Sequence, residues 1–262
     1  MTFAAAAVVP HPPLLVPELG RGDSEELDAL RAACLRAVEA TLEKAGALVL
    51  VGGGPVWALA RPGATASFAP YGADVRVVLP AAAGDGQEWL EPERLAGALA
   101  GVLPEPARLD APPLSLAVAA WLLARRGRPA PPLAALTVPV SLAGGEAAAL
   151  GRALALAASP HGRVGLLAMG DLSARRGAAA PATPHPAADA FDHQAGRAVR
   201  DGQPCRLLDL DPALAATLRV AGLAPLHVLA GALEQAGPLR GAVLYENAPY
   251  GVGYLVGTLR PS

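Results

Sequence analysis

Three short runs in this chain show no polar alternation: AAAAVV at Ala4 to Val9, ALVLVG at Ala47 to Gly52 and RVGLLAMG at Arg163 to Gly170. A strand with one wet face alternates apolar and polar residues, whereas a strand covered on both faces reads as a continuous apolar run. Between the first two runs lies the clearest helical stretch, residues 23–45. Asp23 or Ser24 can cap it, and Glu25 and Glu26 stand in the first turn, where the helix dipole favours acids. Leu27, Leu30, Cys34, Val38 and Leu42 recur at helical spacing, and Gly46 stops the run. The chain therefore opens strand, long loop, helix, strand, a crossover unit of an α/β protein.

The same reading continues downstream. Strands are expected at residues 74–79, closed by Pro80, and at 136–141, where Pro139 suggests an edge or a bulge. Helices are expected at 92–102, 114–125, 146–158, 188–199, 212–220 and 225–235. Two last strands, 241–245 and 253–258, flank ENAPYG. Residues 171–186 form a polar, Ala/Pro-rich loop too long for a mere connector, which marks it as functional or mobile. No internal repeat or linker interrupts residues 1–262, so a single three-layer α/β/α domain is expected.

Composition narrows the function classes. A formal net charge of −2 gives no electrostatic footprint for nucleic acid. No apolar run reaches the length that spans a membrane, and the N-terminus lacks the basic start of a signal peptide. Cys34 and Cys205 are isolated, which suggests a reducing, cytoplasmic setting without a disulfide framework.

Polar groups collect where strands end. His11 follows the first strand in VVPHPPLLVPELG, held by prolines on a stiff loop just past a carboxyl end, the place where open α/β sheets keep ligands. A proline-stiffened surface loop with a merely packed His11 is the plainer alternative. Asp171, Ser173, Arg175 and Arg176 follow RVGLLAMG; Glu246 and Asn247 follow AVLY; His185 and His193 lie at or just beyond the end of the long loop. Gly52, Gly53 and Gly54 lack the spacing of a dinucleotide fingerprint and the Lys of a phosphate loop. Two His and a carboxylate form the facial set that holds ferrous iron with open positions for oxygen and substrate.

PHPPLLVPELG near the start, MGDLS after a strand, FDHQAGRAVRDG, and LYENAPYGVGYLVG near the end resemble, in order, the class III extradiol dioxygenase catalytic subunits of the LigB type, to which the MEMO proteins are related. The resemblance runs from about Ala4 to Thr258. It implies a central mixed, mostly parallel sheet wrapped by helices. It also implies Fe(II), or another divalent metal, on two His and one Glu, with a separate His moving a proton during ring opening. His11 matches the first metal ligand and Glu246 the carboxylate ligand. The second ligand His has no counterpart, because its place reads Gly52-Gly53-Gly54-Pro55. The catalytic His has none either, because Ser173 is followed by Ala174, Arg175 and Arg176.

These losses make standard catechol cleavage an unfavoured expectation, since two protein ligands hold a divalent ion weakly. Loss of an essential proton-transfer His typically costs about 10²- to 10⁴-fold. Either His185 or His193 swings in as a replacement ligand, or Arg175 and Arg176 turn the pocket into an anion site and are, with Asp171, the candidate catalytic groups. Solvation of both arginines, or pairing with neighbouring carboxylates, is the plain alternative. Ser173, Asn247 and Tyr250 are expected to line the pocket; Tyr254 either lines it or packs the last strand. His227 is expected in the core or a groove, and His161 and His193 toward solvent. Three functions stay open: a divergent member of the superfamily acting on or binding a small aromatic or acidic molecule, a non-catalytic scaffold on the same fold, and an iron dioxygenase with a substituted ligand. A homodimer is compatible with the resemblance.

Overall fold

The computed structural model describes residues 3–20, 24–80 and 88–262. Phe3–Val9 (β1), Ala47–Gly54 (β2), Leu133–Pro139 (β7) and Val164–Met169 (β8) are the buried strands of the sheet centre. Ala58–Ala60 (β3) and Ala107–Leu109 (β6) extend one side, and Leu239–Asn247 (β9) and Tyr254–Pro261 (β10) the other. The eight strands run in the order β6-β3-β7-β2-β8-β1-β10-β9. Pairs β7/β2, β2/β8, β8/β1 and β3/β6 are parallel; β3/β7, β1/β10 and β10/β9 are antiparallel. The expected mixed, mostly parallel sheet is present. Thr65–Ser67 (β4) and Arg76–Val78 (β5) form a separate two-stranded ribbon.

Helices cover both faces, as the apolar strands require. Glu25–Leu42 (α1) and Leu114–Ala124 (α3) pack one face, against Ala7, Val9, Leu48, Leu50, Leu167 and Met169. Pro92–Leu99 (α2), Gly144–Ala158 (α4), Ala188–Arg200 (α5), Pro212–Leu218 (α6) and Leu223–Leu233 (α7) lie on the other. Successive residues of β1, β2 and β8 feed opposite cores, which is why these runs carry no polar position. Each fully buried Leu or Val contributes on the order of 1.5–3 kcal/mol. Helices α4 and α7 cross closely enough that a Cβ at Gly151 would sit 2.1 Å from the Val228 carbonyl, and one at Gly231 as near the Ala148 carbonyl. Only glycine fits at that crossing.

Ser24 caps α1, its hydroxyl accepting from the Leu27 N–H; Asp23, the other expected cap, lies outside the described residues. Pro139 does not mark an edge. β7 is an interior strand between β3 and β2, and Pro139 is its last residue, where a missing N–H costs little. The strand expected at 74–79 shrinks to β5 and leaves the main sheet, while β3, β4 and β6, three residues each, carry too little pattern to be read from sequence. His227 is buried, as expected. His161, expected toward solvent, stacks on Trp89 with ring centroids 4.8 Å apart.

Candidate functional site

The connections leaving β1 and β8 depart in opposite directions. From β1 the chain crosses through α1, on one face, to β2; from β8 it crosses through α5, on the other face, toward β9 and β10. Adjacent parallel strands whose connections diverge open a crevice at their carboxyl ends, the usual ligand position of open α/β sheets. His11 stands at one lip and Asp171 at the other.

Asp171 joins the lips. Its Oδ1 accepts the His11 backbone N–H at 2.7 Å and lies 3.9 Å from His11 Nδ1. His11 is buried, 8% exposed, and its Nδ1 has no hydrogen-bond partner among the described residues. Beyond Val9, where β1 stops, the chains on either side close over the gap: Leu172 N–H donates to Gly253 O (2.9 Å), Gly253 N–H to Ser173 O (2.7 Å) and Arg176 N–H to Gly251 O (3.0 Å). His11 is thus roofed by the start of the long loop and the turn before β10.

Tyrosines gather on the α1 side of the crevice. Tyr254 is buried, and burial followed by the nearby Asp171 charge pushes its hydroxyl pKa up. Tyr245 is raised by burial and then by Glu26. Tyr250, at the tip of the turn, brings its hydroxyl 3.3 Å from Ser24 Oγ at the start of α1. Cys34 of α1 is wholly buried, and burial with the Asp171 charge keeps it a thiol. Asn247 folds back, its Oδ1 accepting from the Ala248 N–H, with the residue itself exposed.

On the opposite side Asp192 of α5 is fully buried and holds the roof. Its carboxylate accepts Ser173 N–H at 3.0 Å and Ser173 Oγ–H at 2.8 Å, with Arg176 Nη1 at 3.5 Å. Burial pushes its pKa up to about 6, against the pull of the Ser173 hydrogen bonds and Arg176. Asp192 is the residue that sequence reasoning missed. Its signal was present: Ala188, Phe191, Asp192, Ala195 and Val199 share the buried face of α5, and a carboxylate there needs partners.

The arginines are engaged locally. Arg176 Nε donates to Asp189 (2.6 Å), and Arg175 donates to the carbonyls of Thr183 (2.6 Å) and Thr217 (3.0 Å). His185 Nδ1 accepts the Ala187 N–H at 3.2 Å.

Glu246 faces α5. Its Oε1 pairs with His193 Nδ1 at 2.5 Å and its Oε2 with Arg200 at 2.7 Å, and a Cβ at Gly196 would meet the same carboxylate. Half-exposed His193 is thus partnered to Glu246. The stretch aligned with the second ligand is also filled from outside: a Cβ at Gly52 would lie 2.4 Å from Ser115 Oγ and one at Gly54 2.8 Å from Thr137 Cβ. Among the described residues no group of three or more His, Cys, Asp or Glu stands together as a metal centre. With both Glu246 oxygens occupied, the donors as arranged do not fit the iron set that the resemblance implies.

No family model matches the sequence, and no curated protein matches it. Among solved structures the chain is similar to the uncharacterized protein JW3007 from Escherichia coli K12, at 18% identity, over 98% of this chain and 99% of that one, with a TM-score of 0.61. That similarity establishes a shared fold.

Proposed function

We propose that this chain is a divergent relative of the LigB-type extradiol dioxygenases that binds a small aromatic molecule in the crevice between β1 and β8. The observation that carries the reading is the buried, unpartnered Nδ1 of His11 beside the Asp171 carboxylate at the point where the strand connections diverge. A buried imidazole nitrogen without a partner is costly unless a ligand group or water meets it. A phenolic hydroxyl suits that nitrogen, and the ring would rest among Tyr245, Tyr250 and Tyr254. The acidic ligand expected from Arg175 and Arg176 has less support, since both guanidinium groups already serve Asp189, Asp192 and backbone carbonyls.

Catechol and benzoate titrated into the protein, with His11→Ala and Asp171→Asn alongside, test this. Saturable catechol binding that His11→Ala abolishes supports the reading; benzoate bound more tightly than catechol, or neither bound, overturns it.

A partner-binding role on the same fold is the second reading. Its support is a cleft of about 670 Å³ at the ends of β2 and β7, lined by Pro139, Val140, Pro212 and Leu223. Val140, and Val56 just beyond β2, are exposed.

A further inference from the structure

The opposite, amino-terminal edge of the sheet carries a concentration of positive charge. Strands β8, β1 and β10 are neighbours there; Arg163 precedes the first and Arg260 lies near the end of the last. Lys44, the only lysine in the chain, follows the end of α1 above them. These cations line a hollow of about 330 Å³ floored by Ala4, Ala5 and Thr41. A second hollow of about 420 Å³ adjoins it through Ala40, Glu43 and Arg260 and adds Arg36 and Arg128.

The acids nearby do not balance them. Both Glu39 oxygens are taken, by Arg126 at 2.9 Å and Arg128 at 2.6 Å. Glu43 reaches Arg260 at 3.6 Å. The Lys44, Arg36 and Arg163 side chains have no hydrogen-bond or ion-pair partner among the described residues. A chain of net charge −2 thus gathers around contiguous hollows three cations unpaired among the described residues and one loosely paired arginine. Cations lining a concave, low-dielectric wall focus potential and concentrate anions. The smaller hollow is at the lower end of small-molecule sites.

We propose that this groove binds a compact, multiply charged anion of the phosphate type, at a site separate from the His11 crevice. Arg163 and Arg260 present planar forks suited to phosphoryl oxygens, and Lys44 adds a point charge from above.

Calorimetric titration of the full chain with sodium pyrophosphate at low salt tests the assignment, with citrate as a carboxylate comparator. Lys44→Ala, Arg163→Ala and the pair together are compared with Arg94→Ala, which removes the same charge from an exposed position of α2. The expected result is saturable pyrophosphate binding, weakened about tenfold or more by each groove variant and unchanged by Arg94→Ala. Backbone amide shifts should map to residues 40–44 and 163. Absence of saturable binding at millimolar pyrophosphate overturns the proposal, as does equal weakening by Arg94→Ala. Citrate bound more tightly than pyrophosphate overturns the phosphate assignment. Circular dichroism establishes that each variant is folded.

Discussion

Asp171 Oδ1 accepts the His11 backbone N–H at 2.7 Å across 160 residues of sequence. One carboxylate oxygen therefore ties the loop after β1 to the loop after β8, over a crevice where no strand remains to do so. Replacing Asp171 with Ala leaves that N–H without an acceptor, which costs about 1–3 kcal/mol for a buried donor. Asp171→Asn retains an acceptor and should lose less than half as much. Urea unfolding of the two variants gives the comparison. Equal destabilisation would mean that the carboxylate acts through its charge and not as an acceptor.

The buried Asp192 makes the roof sensitive to pH. Its folded pKa of about 6 lies above the ordinary Asp value of about 4. Below the ordinary value both folded and unfolded states hold the proton, and no penalty applies. Between the two values the folded state keeps the proton longer, so its stability falls as pH rises, levelling above the folded pKa. The full span is on the order of 3 kcal/mol. Asn at 192 does not titrate, so wild type should lose stability relative to Asp192→Asn between about pH 4 and 6. Urea midpoints across that window measure the difference; parallel curves would mean that Asp192 is already ionised throughout.

The sheet centre was legible because β1, β2 and β8 feed two cores and so tolerate no polar residue. The helical period of α1 was legible for the complementary reason, one face buried and one wet. β3 and β6 were not, since three residues give neither period nor length and are placed by their neighbours. The site was legible in part. His11 and Asp171 could be placed at strand ends from the pattern alone. The direction of Glu246 could not, because a bulge in β9 decides it. Leu244 and Tyr245 both pack the α1-side core, opposite a register shift between Val256 and Gly257, and the extra residue turns Glu246 toward α5.

Gly52 and Ser115 occupy one space. A Cβ at Gly52 would lie 2.4 Å from Ser115 Oγ, whose hydroxyl donates to Gly53 O at 2.7 Å. Gly52→Ala should destabilise by about 1–3 kcal/mol through overpacking. Adding Ser115→Gly should recover at least part of that loss, although the hydroxyl bond is gone. A double-mutant cycle by denaturant unfolding reads the coupling, and strict additivity would show that the two positions do not meet.

Glu246 makes its two side-chain contacts with α5, to His193 and Arg200, which stand two turns apart on that helix. Its carboxylate is mostly buried while both partners are about half exposed, so solvent screening reduces what the pairs contribute. Glu246→Ala should destabilise by about 1 kcal/mol and loosen α5 against β9. Anaerobic ferrous titration separates this clasp from a metal ligand. If the carboxylate serves α5, wild type and Glu246→Ala bind ferrous ion equally weakly, while amide exchange in α5 quickens in the variant. One tightly bound iron per chain, lost in both Glu246→Ala and His11→Ala, would mean that the carboxylate leaves His193 and Arg200 for the metal. The clasp would then be only the resting arrangement of a metal site.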